Sequence, residues 1–178
     1  MWKKYNGYKV VKLFFDDPLP DGGFGLREIS RKTKIASKSV KIYLDYLIME
    51  GVIRKNKNRL TGNPVYYGNR DSEIFKLYKK LDLVSRVQES GLLDYLYDKL
   101  MPDVIVLFGS GVRGEDIRGS DIDLFFQCND SRLDLIKFEK KLNRKINIFF
   151  AKDFRKLSKE LKNNINNGII LKGYLKVF

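Results

Sequence analysis

The 178-residue chain contains no histidine and a single cysteine, Cys128. Those absences remove whole classes of chemistry. Without an imidazole there is no His-dependent catalytic triad. A structural zinc site, built chiefly from Cys and His, is excluded as well. One cysteine can form no internal disulfide, so Cys128 reads as a small, partly buried filler in a cytoplasmic protein. No apolar run approaches the roughly 20 residues that a bilayer span needs, so no membrane partner is expected. The Lys-containing N-terminus has no signal-peptide core. Internal repeats and low-complexity tracts are also absent from the sequence.

What is present is enough for one large or two small domains. Hydrophobic residues make up 43% of the chain and charged residues 32%, which permits real cores beneath a solvated surface. The formal net charge is +13, and its distribution is uneven. Residues 1–70 hold 15 Lys/Arg against 6 Asp/Glu, a net +9, while residues 71–178 hold 20 against 16, a net +4. A basic excess gathered in the first part of the chain reads as the footprint of an anionic polymer. The plain alternative is a Lys-rich solubilising surface.

Chemistry concentrates in residues 109–126. Gly109-Ser110 is followed by ten residues and then by Asp121-Ile122-Asp123-Leu124-Phe125-Phe126. Side chains alternate faces along a strand, so Asp121 and Asp123 share one face while Ile122 and Leu124 enter the core. Two aligned carboxylates repel each other unless a cation lies between them. Hard oxygen ligands suit Mg²⁺, which is usually held by one or two carboxylates plus substrate phosphates. Upstream, Asp103-Val104-Ile105-Val106-Leu107-Phe108 reads as a buried strand leading into the Gly-Ser turn. Small residues there let backbone N–H groups and the Ser110 hydroxyl approach a phosphate. The plain alternative is that both aspartates are merely the polar face of an edge strand.

Gly109-Ser110-Gly111-Val112-Arg113-Gly114, with Ser120-Asp121-Ile122-Asp123-Leu124, resembles the signature of the minimal nucleotidyltransferases of the DNA polymerase beta superfamily. The resemblance covers about residues 89–178, with Gly168-Ile169-Ile170-Leu171-Lys172-Gly173 as a weaker terminal match. It implies a mixed sheet flanked by helices. It also implies that Gly109 and Ser110 hold an NTP triphosphate, that Arg113 offsets its charge, and that catalytic Asp121 and Asp123 bind Mg²⁺. Arg113 could equally be a loop-stabilising arginine. A third carboxylate belongs on the next strand, but there the sequence reads Lys145-Ile146-Asn147-Ile148-Phe149-Phe150. Asn147 offers a neutral carbonyl oxygen and cannot act as a carboxylate base. Asp153, six residues later, would replace it only if the loop folded back. Glu115 and Asp116 read as exposed loop charges, Ser120 as a turn hydrogen-bonding residue, and Phe125 and Phe126 as packing rings on opposite sheet faces.

The first 70 residues have the rhythm of a small helical domain closed by a hairpin. Tyr8 to Phe15 reads as a helix, Pro18 to Gly25 as a turn-rich break, and Leu26 to Thr33 as a short amphipathic helix. Ser37 is placed to cap a helix over Lys38 to Glu50, in which Val40, Tyr43, Leu44, Leu47 and Ile48 recur at helical spacing. Gly51 ends it, Val52-Ile53-Arg54 opens a strand, and a basic, turn-forming stretch leads to Val65-Tyr66-Tyr67. This order resembles a winged helix-turn-helix, which implies duplex DNA as partner. Lys38, Ser39 and Lys41 would face the major groove, and Lys55, Lys57 and Arg59 would meet phosphates or the minor groove. Such modules also serve as protein-interaction surfaces, so a protein partner remains open.

Residues 71–88 read as a connecting helix with Lys76, Lys79, Lys80 and Arg86 on a solvated face. Further helices are expected over 92–101, 131–143 and 153–166, and strands over 103–108, 122–127 and 146–150, with 169–177 extending the sheet. The expected fold class is therefore α+β, a winged helix over 1–70 and a nucleotidyltransferase-like mixed sheet over 89–178. Two functions compete. One is Mg²⁺-dependent transfer of NMP from an NTP to a hydroxyl acceptor. The other is a catalytically weakened DNA-binding regulator, or antitoxin-like protein, that keeps the transferase fold; Asn147 favours it.

Overall fold

The computed structural model describes residues 5–177, which divide into two compact units, one ending at Lys79 and one beginning at Lys80. The first unit runs α1 (Asn6–Asp16), β1 (Phe24–Gly25), α2 (Leu26–Thr33), α3 (Ser37–Met49), β2 (Ile53–Lys57) and β3 (Pro64–Gly68). Apolar residues at three- and four-residue spacing give α1 and α3 one inward stripe each: Val10, Val11, Phe14 and Phe15 meet Val40, Leu44 and Leu47 in a single core. The tight turn between α2 and α3 is built by Lys34 in the left-handed conformation (φ 58°) and by the Ser30 hydroxyl, which donates to the Ile35 carbonyl at 2.6 Å.

Two local expectations change here. Ser37 is the first residue of α3 rather than its cap; Ala36 holds the cap position without a side-chain bond. Within the turn-rich break, Phe24 and Gly25 form a short strand that pairs antiparallel with β3, giving a three-stranded sheet in the order β1-β3-β2. A two-residue strand leaves no periodic trace, and it exists because the far side of β3 supplies a ladder.

Helix α4 (Glu73–Glu89) carries the division between the units. Its lysines do not form one solvated face: Lys79 is buried, as is Asp82, while Leu77, Tyr78 and Leu81 are exposed. Arg86 is also largely covered and donates to the Leu142 carbonyl at 2.6 Å. Buried charges are tolerated only with partners, and none of these three lacks one.

The second unit continues with α5 (Leu92–Leu100), β4 (Val104–Phe108), α6 (Ser110–Arg113), β5 (Ile122–Phe126), α7 (Ile136–Leu142), β6 (Ile146–Phe150), α8 (Lys159–Asn166) and β7 (Ile169–Gly173). The sheet order is β6-β5-β4-β7; β5 and β6 are parallel and the other pairs antiparallel, so the sheet is mixed as expected. Strand alternation splits its side chains between two cores. Leu107, Leu124, Phe126 and Ile146 pack with Leu92, Leu96, Phe138 and Leu142. On the opposite face Val104, Val106, Phe108 and Phe125 pack with Phe154 and Ile165. Phe125 and Phe126 are therefore both fully buried, one in each core.

Two expected helices are shorter than the sequence implied. The segment before α7 is irregular because the Asp134 carboxylate accepts from Ile136 N–H (3.2 Å), starting the helix late. The expected helix over 153–166 is broken into a 3-10 turn, Phe154–Lys156, capped by Asp153, and α8, capped by Ser158, whose hydroxyl accepts from Leu161 N–H at 3.2 Å. Two capping side chains five residues apart start two helices rather than one.

Candidate active site

The site lies on the sheet face that also packs Phe108 and Phe125, where the apolar core gives way to polar side chains. Register sets its geometry. Asp123 on β5 stands opposite Phe108 on β4 and opposite Asn147 on β6, so the three side chains share a face. Asp121, just ahead of β5, joins them. The Asn147 Nδ2 donates to Asp121 Oδ2 and to Asp123 Oδ1, each at 3.1 Å. The two carboxylates thus converge as the sequence implied, and an amide group lies between them. A charge-assisted hydrogen bond to each relieves part of their mutual repulsion.

Gly109 explains how the backbone passes so near. Its φ of 83° and ψ of −157° belong to a region that only glycine occupies readily. A Cβ there would press on the Asp123 carboxylate. Ser110 then begins α6, and its carbonyl accepts from Glu115 N–H at 3.1 Å, which closes the turn. Gly109, Ser110, Asp121 and Asp123 are therefore brought together. Arg113 lines the same cleft, about 410 Å³ in volume, with its guanidinium 2.7 Å from the Glu115 carboxylate.

The spacer between the Gly-Ser turn and Asp121 is held in place. Ser120 Oγ accepts from Ile117 N–H at 3.0 Å, the turn role expected of it. Ile122 N–H donates to the Lys145 carbonyl at 2.9 Å, tying the start of β5 to the start of β6. Asp116 is the correction: it is not an exposed loop charge but is 2% exposed and pairs with the Arg144 guanidinium, itself almost wholly covered. The partners lie 28 residues apart, so nothing in the local sequence announced the pair. Together these contacts fix the loop bearing Asp121 against the strand bearing Asn147.

No third carboxylate among the described residues joins Asp121 and Asp123. Among the described residues there is no cluster of three or more His, Cys, Asp or Glu side chains suited to a metal ion. Asp153 does not fold back: its two oxygens are bound by Arg155 at 2.9 and 3.0 Å, which holds its carboxyl below its ordinary value. The donor set is thus two carboxylates and one amide. The two carboxylates suit a hard divalent cation that takes its remaining ligands from phosphate and water, whereas Asn147 turns its N–H donors toward them and would ligate only with its oxygen turned inward.

These features rank with a recognisable domain. Residues 90–175 match the model of the family described as Polymerase beta, Nucleotidyltransferase. No curated protein and no solved structure matches the chain. The matched residues carry a nucleotidyltransferase-like domain, and every residue discussed above as part of the site falls within them. Sequence reading passed over Phe149, which by alternation from Asn147 had to face the same cleft. It also passed over α8, whose Glu160, Leu161 and Asn164 line the same cleft.

In the first unit, Lys38 and Lys41 are exposed on α3 and Ser39 is half-buried. Lys41 donates to Asp45 at 2.9 Å, a bond that raises its pKa. Lys41 and Lys55 share a groove of about 620 Å³ with Arg27, Glu28 and Tyr66, while Lys57 ends β2 and Arg59 lies in the hairpin turn. That turn is shaped by Asn58, whose Oδ1 accepts from Leu60 and Thr61 N–H at 3.0 Å each. Sequence reading missed the outward stripe of α3: Ile42, Tyr46 and Met49 are 63%, 56% and 73% exposed. No helix among the described residues is long and apolar enough to cross a membrane.

Proposed function

We propose that the second unit binds an NTP with Mg²⁺ and transfers NMP to a hydroxyl acceptor, at a rate limited by Asn147. The convergence of Asp121 and Asp123 beside the Gly109-Ser110 turn carries this reading. The turn presents the Ser110 hydroxyl and backbone N–H groups to the phosphates, and Arg113 offsets their charge. Asp121 and Asp123 would hold the cation, which when bound offsets charge on the transferring phosphoryl group. The acceptor oxygen forms a new bond to the α-phosphorus, the bond to the bridging oxygen breaks, and pyrophosphate leaves. Asn147 cannot take the hydroxyl proton, which therefore passes to solvent. Calorimetric titration with Mn²⁺ and a non-hydrolysable NTP tests the site: Asp121→Asn with Asp123→Asn should abolish binding. Equal affinity in the double variant would refute it.

A second reading keeps the nucleotide site and gives up turnover, making the chain a DNA-binding regulator or antitoxin-like protein. The observation favouring it is Asn147 bonded to both carboxylates. In both readings the first unit is a winged helix on duplex DNA. Its element order, the β1-β3-β2 sheet and the basic β2–β3 hairpin support that assignment. The hairpin would supply affinity through Lys55, Lys57 and Arg59, whereas Ile42 and Tyr46 on α3 would meet thymine methyls or a protein partner. Three phosphates neutralised by the hairpin correspond to a log–log salt slope of roughly −2.7. Changing all three residues to Ala should weaken binding of the chain to every duplex and flatten that slope, as read by fluorescence anisotropy. No binding of the unaltered chain at low salt would assign this unit to protein contacts.

A further inference from the structure

Phe149 is out of keeping with its strand. Along β6, Ile146, Ile148 and Phe150 point into the core shared with α7, and Asn147 serves the site. Phe149 shares the face of Asn147 yet is 39% exposed, a large ring left open to the cleft that holds Gly109, Arg113 and Asp123. Its orientation is fixed. It packs edge-to-face on the buried Phe108, with centroids 5.3 Å apart and planes at 65°. An aromatic ring held this way presents a face at little cost in side-chain freedom. Helix α8 lines the same cleft, where Asn164 brings an amide with both donor and acceptor groups, and Glu160 a carboxylate.

We infer that Phe149 is the stacking platform for a nucleobase, with Asn164 facing the base edge. The inference rests on the nucleotide-binding reading above. An apolar ring and polar groups lining one cleft match a planar heterocycle, which has a π-face and a hydrogen-bonding rim. Such stacking tolerates any base, because every base has a π-face. The base comes either from the NTP or from the end of a single-stranded acceptor, and the two sources separate experimentally.

The test is calorimetry on the 178-residue chain in Mn²⁺ with three probes: inorganic tripolyphosphate, a non-hydrolysable ATP analogue, and a single-stranded adenylate hexamer. Phe149→Leu keeps an apolar contact with Phe108 and removes the ring. It should leave tripolyphosphate affinity unchanged and weaken a base-bearing probe about tenfold; Phe149→Trp should restore that affinity. Loss on the ATP analogue assigns the incoming nucleotide, and loss on the hexamer assigns the acceptor. Unchanged affinity for both base-bearing probes in Phe149→Leu overturns the stacking role alone. Equal weakening of all three probes also overturns it, because the ring would then act through site structure. If the unaltered chain binds none of the three, the nucleotide-binding reading falls as well.

Discussion

Replacing Asn147 by Asp tests whether an amide or a metal is meant to lie between the two carboxylates. In the protein as it stands, one Nδ2 donates to both at 3.1 Å. The substitution removes two charge-assisted hydrogen bonds and puts a third negative charge in their place. At a separation of about 4 Å, each like-charge pair costs between about 1 kcal/mol in water and about 4 kcal/mol at an effective dielectric of 20. Asp121 and Asn147 are exposed and Asp123 is half-buried, so the lower end applies. Two such pairs give about 2 kcal/mol of destabilisation without metal. For a domain of about 100 residues this corresponds to a fall in Tm of roughly 8–16 °C. Mn²⁺ should reverse that fall, because a cation bound only by the folded state stabilises it by mass action. The same variant should raise any transfer rate by more than about tenfold, equivalent to about 1.4 kcal/mol of barrier. Differential scanning fluorimetry in EDTA and in Mn²⁺, followed by labelled-NTP incorporation, reads both effects. A variant as stable as the parent in EDTA, with no larger response to Mn²⁺, would refute the argument that these three side chains form one electrostatic cluster.

Gly109→Ala should cost about 1–3 kcal/mol in urea unfolding, from the backbone conformation alone. It should also displace the Asp123 carboxylate, so metal–nucleotide affinity should fall even where the fold survives. Arg144→Met removes the covered guanidinium paired with the buried Asp116 and should destabilise the second unit by up to about 3 kcal/mol, since Asp116 keeps a further interaction; adding Asp116→Leu should recover part of that loss. Cys128 is half-buried, and burial, with smaller contributions from Asp103 and Asp130, pushes its thiol pKa up from its ordinary value. Its alkylation by iodoacetamide should therefore rise with pH along a curve displaced to higher pH than that of the urea-unfolded chain; coincident curves would contradict the burial.

What the sequence made legible follows from how locally each feature is determined. The Gly-Ser turn, the ten-residue spacer and the Asp-x-Asp strand are contiguous, and strand alternation alone aims both aspartates one way. The long amphipathic helices announce themselves by periodicity, as does the inward packing of Ile122 and Leu124. What could not be read depends on partners distant in sequence. Asp116 looks like any loop aspartate until Arg144 covers it. Lys79 looks like one lysine among several on α4, yet it is buried. The two-residue strand β1 exists only because β3 lies beside it.

The most informative difference concerns charge on α3. From sequence, Lys38, Ser39 and Lys41 read as a cationic face suited to a DNA groove. Structurally, Lys41 is engaged by Asp45 one turn on, while Ile42, Tyr46 and Met49 form the exposed stripe beside it. An exposed intrahelical ion pair adds little to stability, but it halves the charge this face offers to a phosphate. Basic side chains with no ion pair among the described residues lie on the β2–β3 hairpin, where Lys55 and Lys57 share a strand face by the two-residue repeat. If the first unit binds duplex DNA as proposed, affinity would belong to the hairpin, and selectivity to the apolar side chains of α3. That division makes a distinct demand on experiment: Lys55, Lys57 and Arg59 should control the salt dependence of binding, whereas Ile42→Ala and Tyr46→Ala should leave the salt slope unchanged and alter which partner is preferred.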